Sequence, residues 1–179
     1  MPKVSVMIPT RNERFLQETV TDILNNAGDV EVIVHLDGYW PDPPLVGDKR
    51  LIVVHRKRCG MRAGINAMAA IARGDYLMKV DAHCSFAPGF DEVLADNCAD
   101  NWIVVPRRYS LDAETWERRK EPIDAMYYFW PYAHPDDLGL HGRPWRSTIW
   151  RDPGSPYQST PKGPLTSSSS EQAVFSVLP

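Results

Sequence analysis

The sequence is short of cysteine, of net charge and of long apolar runs. Only Cys59, Cys84 and Cys98 occur among 179 residues. Three is an odd number, and no C-x-x-C pair is present. That argues against a disulfide framework or a zinc finger and for reduced thiols in a cytoplasmic protein. The formal charge of −3 is small and of the wrong sign to hold a nucleic acid by bulk attraction, so no nucleic-acid partner is expected. No apolar stretch approaches the roughly 20 residues of a membrane helix, so no membrane span is expected. Met1-Pro-Lys-Val-Ser-Val6 leads straight into a strand without a leader pattern. Two nucleotide-binding signatures are also missing. No G-x-G-x-x-G follows the first strand, which argues against a dinucleotide fold. No G-x-x-x-x-G-K-[ST] occurs, which argues against a P-loop hydrolase. The length and the 43% hydrophobic content suit one domain with a real core.

What is present is an alternation of apolar strands and amphipathic helices. Val4 to Ile8 reads as a buried strand that Pro9 stops. Thr10-Arg-Asn-Glu13 has the spacing of a capping box. Leu16, Val20, Ile23 and Leu24 follow on one helical face, which Gly28 ends. Val30 to Leu36 is a second strand, with Asp37-Gly38 at its end, and Tyr39 to Pro44 is a loop. Leu51 to Val54 is a third strand. Ile65, Met68, Ala69 and Ala72 make a small-residue helix face closed by Gly74, and Tyr76 to Val80 is a fourth strand. Phe90, Val93 and Leu94 open another helix, and Trp102 to Val105 reads as a fifth strand. This order implies an α/β fold with a mostly parallel sheet covered by helices on both faces. The fourth strand delivers Asp81 and His83 to its carboxyl end, where open parallel sheets bind ligands. Residues i and i+2 on an extended chain point the same way, so this pair can converge on one ion. A carboxylate with an imidazole suits Mn²⁺ or a similar divalent cation.

Four segments carry a family resemblance. Val4-Ser-Val-Met-Ile-Pro-Thr-Arg-Asn-Glu13, Leu36-Asp-Gly38, Gly60-Met-Arg-Ala-Gly-Ile-Asn66 and Gly74-Asp-Tyr-Leu-Met-Lys-Val-Asp-Ala-His83, in that order, resemble the nucleotide-sugar half of a GT-A (Rossmann-like) glycosyltransferase. The likeness is to the family-two-like group and covers about residues 3–110. Asp-Ala-His in place of Asp-x-Asp is similar to the polypeptide N-acetylgalactosaminyltransferases. Gly142-Arg-Pro-Trp145 resembles a segment of related phage and bacterial proteins.

The resemblance implies a metal-assisted glycosyltransferase with a nucleotide-sugar donor, a UDP-sugar, and an acceptor that the sequence leaves unknown. Read physically, the backbone of Pro9 and Thr10 would edge the uracil. Glu13 would contact base or ribose, or serve only as the cap. Asp37 would accept the uracil N3–H, or serve only as an Asp-Gly turn. Gly60 and Gly64 would let the backbone approach the nucleotide, Arg62 would neutralise phosphate, and Asn66 would reach the ribose or fix the loop. Asp81 and His83 would hold Mn²⁺ (or Mg²⁺) across the two phosphates.

Beyond Leu111 the pattern changes. Trp116 to Lys120 reads as a charged helical turn, and Met126 to Tyr132 as an aromatic strip, either a core or interface strand or an acceptor-side surface. His35 reads as a core or edge residue, His55 as part of a solvated or phosphate-facing rim, and His134 and His141 as remote candidates for a further metal ligand. Family-two-like enzymes usually take a carboxylate base from their second half. Here Asp136 and Asp137 are possible carboxylates, but no motif supports them. Residues 1–150 are read as the nucleotide-sugar domain with an incomplete acceptor half, and residues 151–179 as a disordered Ser/Pro-rich tail that does not continue the sheet. Two other functions stay open. One is a truncated, inactive nucleotide-binding fragment. The other is a nucleotidyltransferase, disfavoured because no glycines follow the first strand.

Overall fold

The computed structural model of the chain describes residues 3–100, 102–104, 106 and 108–120, together with strand backbone at 125–129, 141–145 and 175–176. Its centre is a sheet of parallel strands: β1 (Val4–Thr10), β2 (Val30–Asp37), β3 (Leu51–Arg56) and β4 (Tyr76–Lys79), in the order β3-β2-β1-β4. Helix α1 (Leu16–Asn26) joins β1 to β2, α2 (Met61–Ala69) joins β3 to β4, and α3 (Phe90–Asp96) follows β4. This is the expected α/β architecture, and it brings the carboxyl ends of all four strands to one edge.

The strands read as continuous apolar runs because both faces are covered. Val4, Val6 and Ile8 of β1, with Val32, Val34 and Leu36 of β2, pack under Leu16, Val20 and Ile23 of α1 and Phe90 and Leu94 of α3. Met7 and Ile33 turn the other way and pack with Met68 of α2. Helix α2 lies close to the sheet because Gly64 faces His35. A Cβ built there would sit 2.6 Å from His35 Nδ1. The ring is fully buried and cannot step aside. Gly64→Ala is therefore expected to cost about 1–3 kcal/mol, read as an earlier urea midpoint with an unchanged slope. An unchanged midpoint would show that the helix can lift without penalty.

Several expectations need correction. Strand β1 runs through Pro9 to Thr10. Pairing with β4 stops at Met7–Lys79, so at Pro9 only the β2 side of the strand is paired and a proline is tolerated. The capping box does not form. Helix α1 begins at Leu16 behind Phe15, with no side-chain cap, while the Thr10 hydroxyl bonds the Tyr39 hydroxyl at 2.7 Å. Trp102 to Val104 is not a strand. Trp116 to Lys120 is not helical either. β5 (Leu111–Asp112) and β6 (Glu117–Arg118) form a small antiparallel hairpin instead. Its turn is held by Asp112, whose carboxylate accepts from the backbone N–H of Glu114 and Thr115.

Further on, β7 (Ala125–Phe129) pairs antiparallel with β8 (His141–Trp145), so part of the aromatic strip is a strand and the Gly142–Trp145 segment is its partner. Most of the expected tail lies outside the described residues. Its Phe175–Ser176 backbone (β9) adds antiparallel to β4, so at those two residues the chain does continue the sheet. Among the described residues, no helix is long and apolar enough to cross a membrane.

Candidate functional site

The four carboxyl ends build the site. At the end of β2, Asp37 is only 7% exposed. Its Oδ1 accepts from the backbone N–H of Cys59 at 2.6 Å, and both oxygens accept from that of Gly60 at 3.2 Å. The Cys59 amide foremost, then that of Gly60, outweighs burial and holds the Asp37 carboxyl below the usual aspartate range. The carboxylate thus folds the loop between β3 and α2 over the strand ends. Gly38 follows at φ +79, and its N–H donates to Arg56 O at 2.9 Å. Gly60, at φ +85, opens α2 with free space around it. Arg62 and Asn66 are exposed and lie one turn apart on α2. Gly64, by contrast, serves helix–sheet packing rather than an open loop.

At the end of β4 the chain leaves the strand at Lys79, so Asp81 lies beyond it and Ala82 and His83 form a turn, and the three are not on one extended run. The i, i+2 argument therefore holds for Lys79 and Asp81, whose ammonium and carboxylate pair directly, rather than for Asp81 and His83. His83 Nδ1 instead lies 3.7 Å from Glu13 Oε2. Released from the cap, Glu13 reaches across from the β1 loop to the turn after β4. Among the described residues, no group of three or more His, Cys, Asp or Glu is arranged to hold a metal. The Asp81–His83 turn is pinned from α1. Thr19 Oγ1 accepts from Cys84 N–H, and Asp22 accepts from Phe86 N–H, the Ser85 hydroxyl and Trp116 Nε1.

A basic rim borders the same edge. His55, Arg56, Lys57 and Arg58 run off β3, all exposed, in a chain whose net charge is −3. Trp40, 68% exposed, stacks on His55 with centroids 4.2 Å apart and planes at 4°. His35 is a core residue. Its Nε2 meets Cys59 Sγ at 3.7 Å, its Nδ1 has no partner, and burial lowers its pKa so that it stays neutral. His134, Asp136 and Asp137, and the side chain of His141, lie outside the described residues.

The structure therefore gathers Thr10, Glu13, Asp37, Gly60, Asp81 and His83 along one edge, with Pro9 the penultimate residue of β1. It adds Lys79, Thr19, Asp22, Tyr39 and Trp40, none of which was singled out from sequence. Lys79 was legible, because it precedes Asp81 by two residues. Asp22 was not, because its partners are far along the chain.

Residues 5–151 match the family description "Glycosyl transferase family 2". No curated protein matches the chain. Among solved structures, the crystal structure of S. aureus TarS is similar at 20% identity with a TM-score of 0.42, covering 52% of this chain and 19% of that one. That of S. aureus TarS 1-349 is similar at 22% identity with a TM-score of 0.42, covering 53% and 31%. The chain thus spans less than a third of the length of either structure.

Proposed function

Because the chain belongs to glycosyl transferase family 2, we propose that it binds a UDP-sugar across the carboxyl edge of its sheet and transfers the sugar to an acceptor, assisted by a divalent metal. The family match carries this reading, and the placement of Asp37, Asp81 and His83 at that edge supports it. The residues that would hold Mn²⁺ or Mg²⁺ are Asp81, through a carboxylate oxygen, and His83, through an imidazole nitrogen. Glu13 lies beside His83 only, and with no third protein ligand gathered there among the described residues, the donor's own phosphates would complete the set. When bound, such a metal supplies charge stabilisation to the leaving diphosphate.

The residues of the chain do the rest. Arg56, Lys57, Arg58 and Arg62 give the edge the positive field that a diphosphate needs. Thr19 and Asp22 hold the turn that presents Asp81 and His83. Asp37 offers base selection. A carboxylate has about four lone-pair sites. Those on Oδ1 are taken by Cys59 and Gly60, and Oδ2 has given up one to Gly60. The remaining site on Oδ2 suits a donor such as the uracil N3–H.

The direct test is titration of UDP with and without Mn²⁺, followed by donor hydrolysis or transfer. Absence of UDP binding under both conditions would overturn the reading. A sharper arm uses Asp37→Asn. The amide keeps one oxygen for the loop N–H groups and turns a donor toward the base. It should lose about tenfold or more in UDP affinity while gaining relative preference for CDP, whose N3 is an acceptor. Calorimetry with both nucleotides reads the ratio. An unchanged UDP-to-CDP ratio would remove Asp37 from base recognition.

A further inference from the structure

Lys79 belongs to β4, and Leu77, two residues earlier, packs in the cluster under α2. Alternation along the strand puts Lys79 on that same face. Its side chain, 29% exposed, runs to the carboxyl edge and pairs with Asp81, which is 54% exposed. The Asp81 carboxylate is thus already neutralised by a cation from its own strand. A divalent metal on that carboxylate would compete with the ammonium for its charge, because two cations held on one carboxylate repel each other. The four-carbon stem of a lysine lets the head swing away while its base stays packed. Freed from Asp81, the head would still lie at the carboxyl edge, on the face covered by α2, where the donor's diphosphate is proposed to bind.

We propose that Lys79 is a phosphate-binding residue that rests on Asp81 in the free protein, would be released from that carboxylate when Asp81 serves as a metal ligand, and would then pair with the diphosphate of the donor. This rests on the metal-assisted reading above. It gives Lys79 two roles of opposite sign, as competitor of the metal and as partner of the donor. A lysine that served only as the counter-ion of Asp81 would have the first role and not the second.

The experiment compares the full chain with Lys79→Met and Lys79→Arg. Electron paramagnetic resonance of free Mn²⁺ reads metal binding without nucleotide, and calorimetry reads UDP binding in saturating Mn²⁺. Lys79→Met should bind Mn²⁺ more tightly than the unmutated protein, yet bind UDP about tenfold or more weakly. Lys79→Arg should keep the charge and most of both affinities. Thermal melts check that each variant is folded. If Lys79→Met changes neither affinity, the proposal is overturned. If it tightens Mn²⁺ but leaves UDP unchanged, Lys79 is only a resident counter-ion, and the phosphate role is overturned. If the unmutated protein shows no Mn²⁺-dependent gain in UDP affinity, the metal-assisted reading itself fails and this proposal with it. A clear gain there with no Lys79 effect sinks only the proposal.

Discussion

Replacing Glu31 by alanine is expected to lower the melting temperature by roughly 10 °C, from a loss of about 3 kcal/mol. Glu31 sits in β2 beside Ser5 of β1 and is 2% exposed. Its Oε1 accepts from the Ser5 hydroxyl and the Arg73 N–H, each at 2.6 Å, and its Oε2 from the Arg73 guanidinium at 2.9 and 2.7 Å. The Ser5 oxygen in turn accepts from Gly74 N–H at 2.8 Å. One carboxylate therefore fastens the connection between α2 and β4 to the amino edge of the sheet. Gly74 is part of the same fit, since a Cβ there would meet Ser5 N at 2.6 Å. The Arg73 guanidinium is largely solvated and would survive the loss. The cost falls on the Ser5 hydroxyl and the Arg73 N–H, which lose the acceptor built for them.

The same carboxyl gives a pH signature. Burial pushes Glu31 up, but the Ser5 hydroxyl and the Arg73 backbone and side-chain bonds outweigh it and hold its pKa below the ordinary glutamate value. A lowered folded-state pKa means the contribution is fully present above the ordinary glutamate range. It is lost as pH falls through the lower folded value. Glu31→Gln has no carboxyl to titrate, so its deficit at pH 7 should shrink as the pH is brought down to that value. Melting curves across that range test this. A deficit that stays constant with pH would mean the glutamine is losing packing rather than charge-assisted bonds.

The legible parts of this chain are those where local pattern and tertiary burial agree. Val30 to Leu36 reads as a strand because α1 and α2 cover both its faces. Asp37 and Asp81 are legible as residues of the carboxyl edge because a strand end marks them. The capping box failed because Thr10 had a better partner. Tyr39 lies 29 residues on, and its hydroxyl keeps Thr10 in β1 while the chain turns through Asn12 at φ +54. That tertiary pull frees Glu13 for His83, so the misread cap and an unforeseen site contact have one cause. Trp116 shows the same override. Its charged neighbours suggest a helical turn, but its ring nitrogen donates to Asp22, 94 residues away, and its backbone sits at φ +59. A partner at that separation is invisible to a local reading, and so was the role of Asp22 in supporting the Asp81–His83 turn. Trp102 and Ile103 were apolar enough for a strand yet lie exposed. Apolar content alone does not find a strand a sheet to join.

Asp81→Ala is expected to abolish the Mn²⁺-dependent part of UDP binding, so that the variant binds UDP equally with Mn²⁺ and with EDTA. Losing a direct ligand should cost more than the roughly 10–100-fold that changes in supporting residues cost a metal site. Asp81 is 54% exposed and makes its described ion pair only with Lys79, so its removal should leave the melting temperature nearly unchanged. That separates a site defect from a folding defect. The imidazole of His83 would remain, held near Glu13. A hard cation holds to carboxylate oxygen more than to imidazole nitrogen, so His83→Ala should cost less than Asp81→Ala. The charge balance sharpens the expectation. Without Asp81 the Lys79 ammonium has lost its carboxylate and is free to meet the diphosphate. In EDTA, then, Asp81→Ala should bind UDP at least as well as the unmutated protein, while in Mn²⁺ it binds far more weakly. If Asp81→Ala instead keeps a Mn²⁺-dependent gain, the metal sits elsewhere. If it loses UDP affinity equally in Mn²⁺ and in EDTA, Asp81 contacts the donor directly and the metal assignment falls.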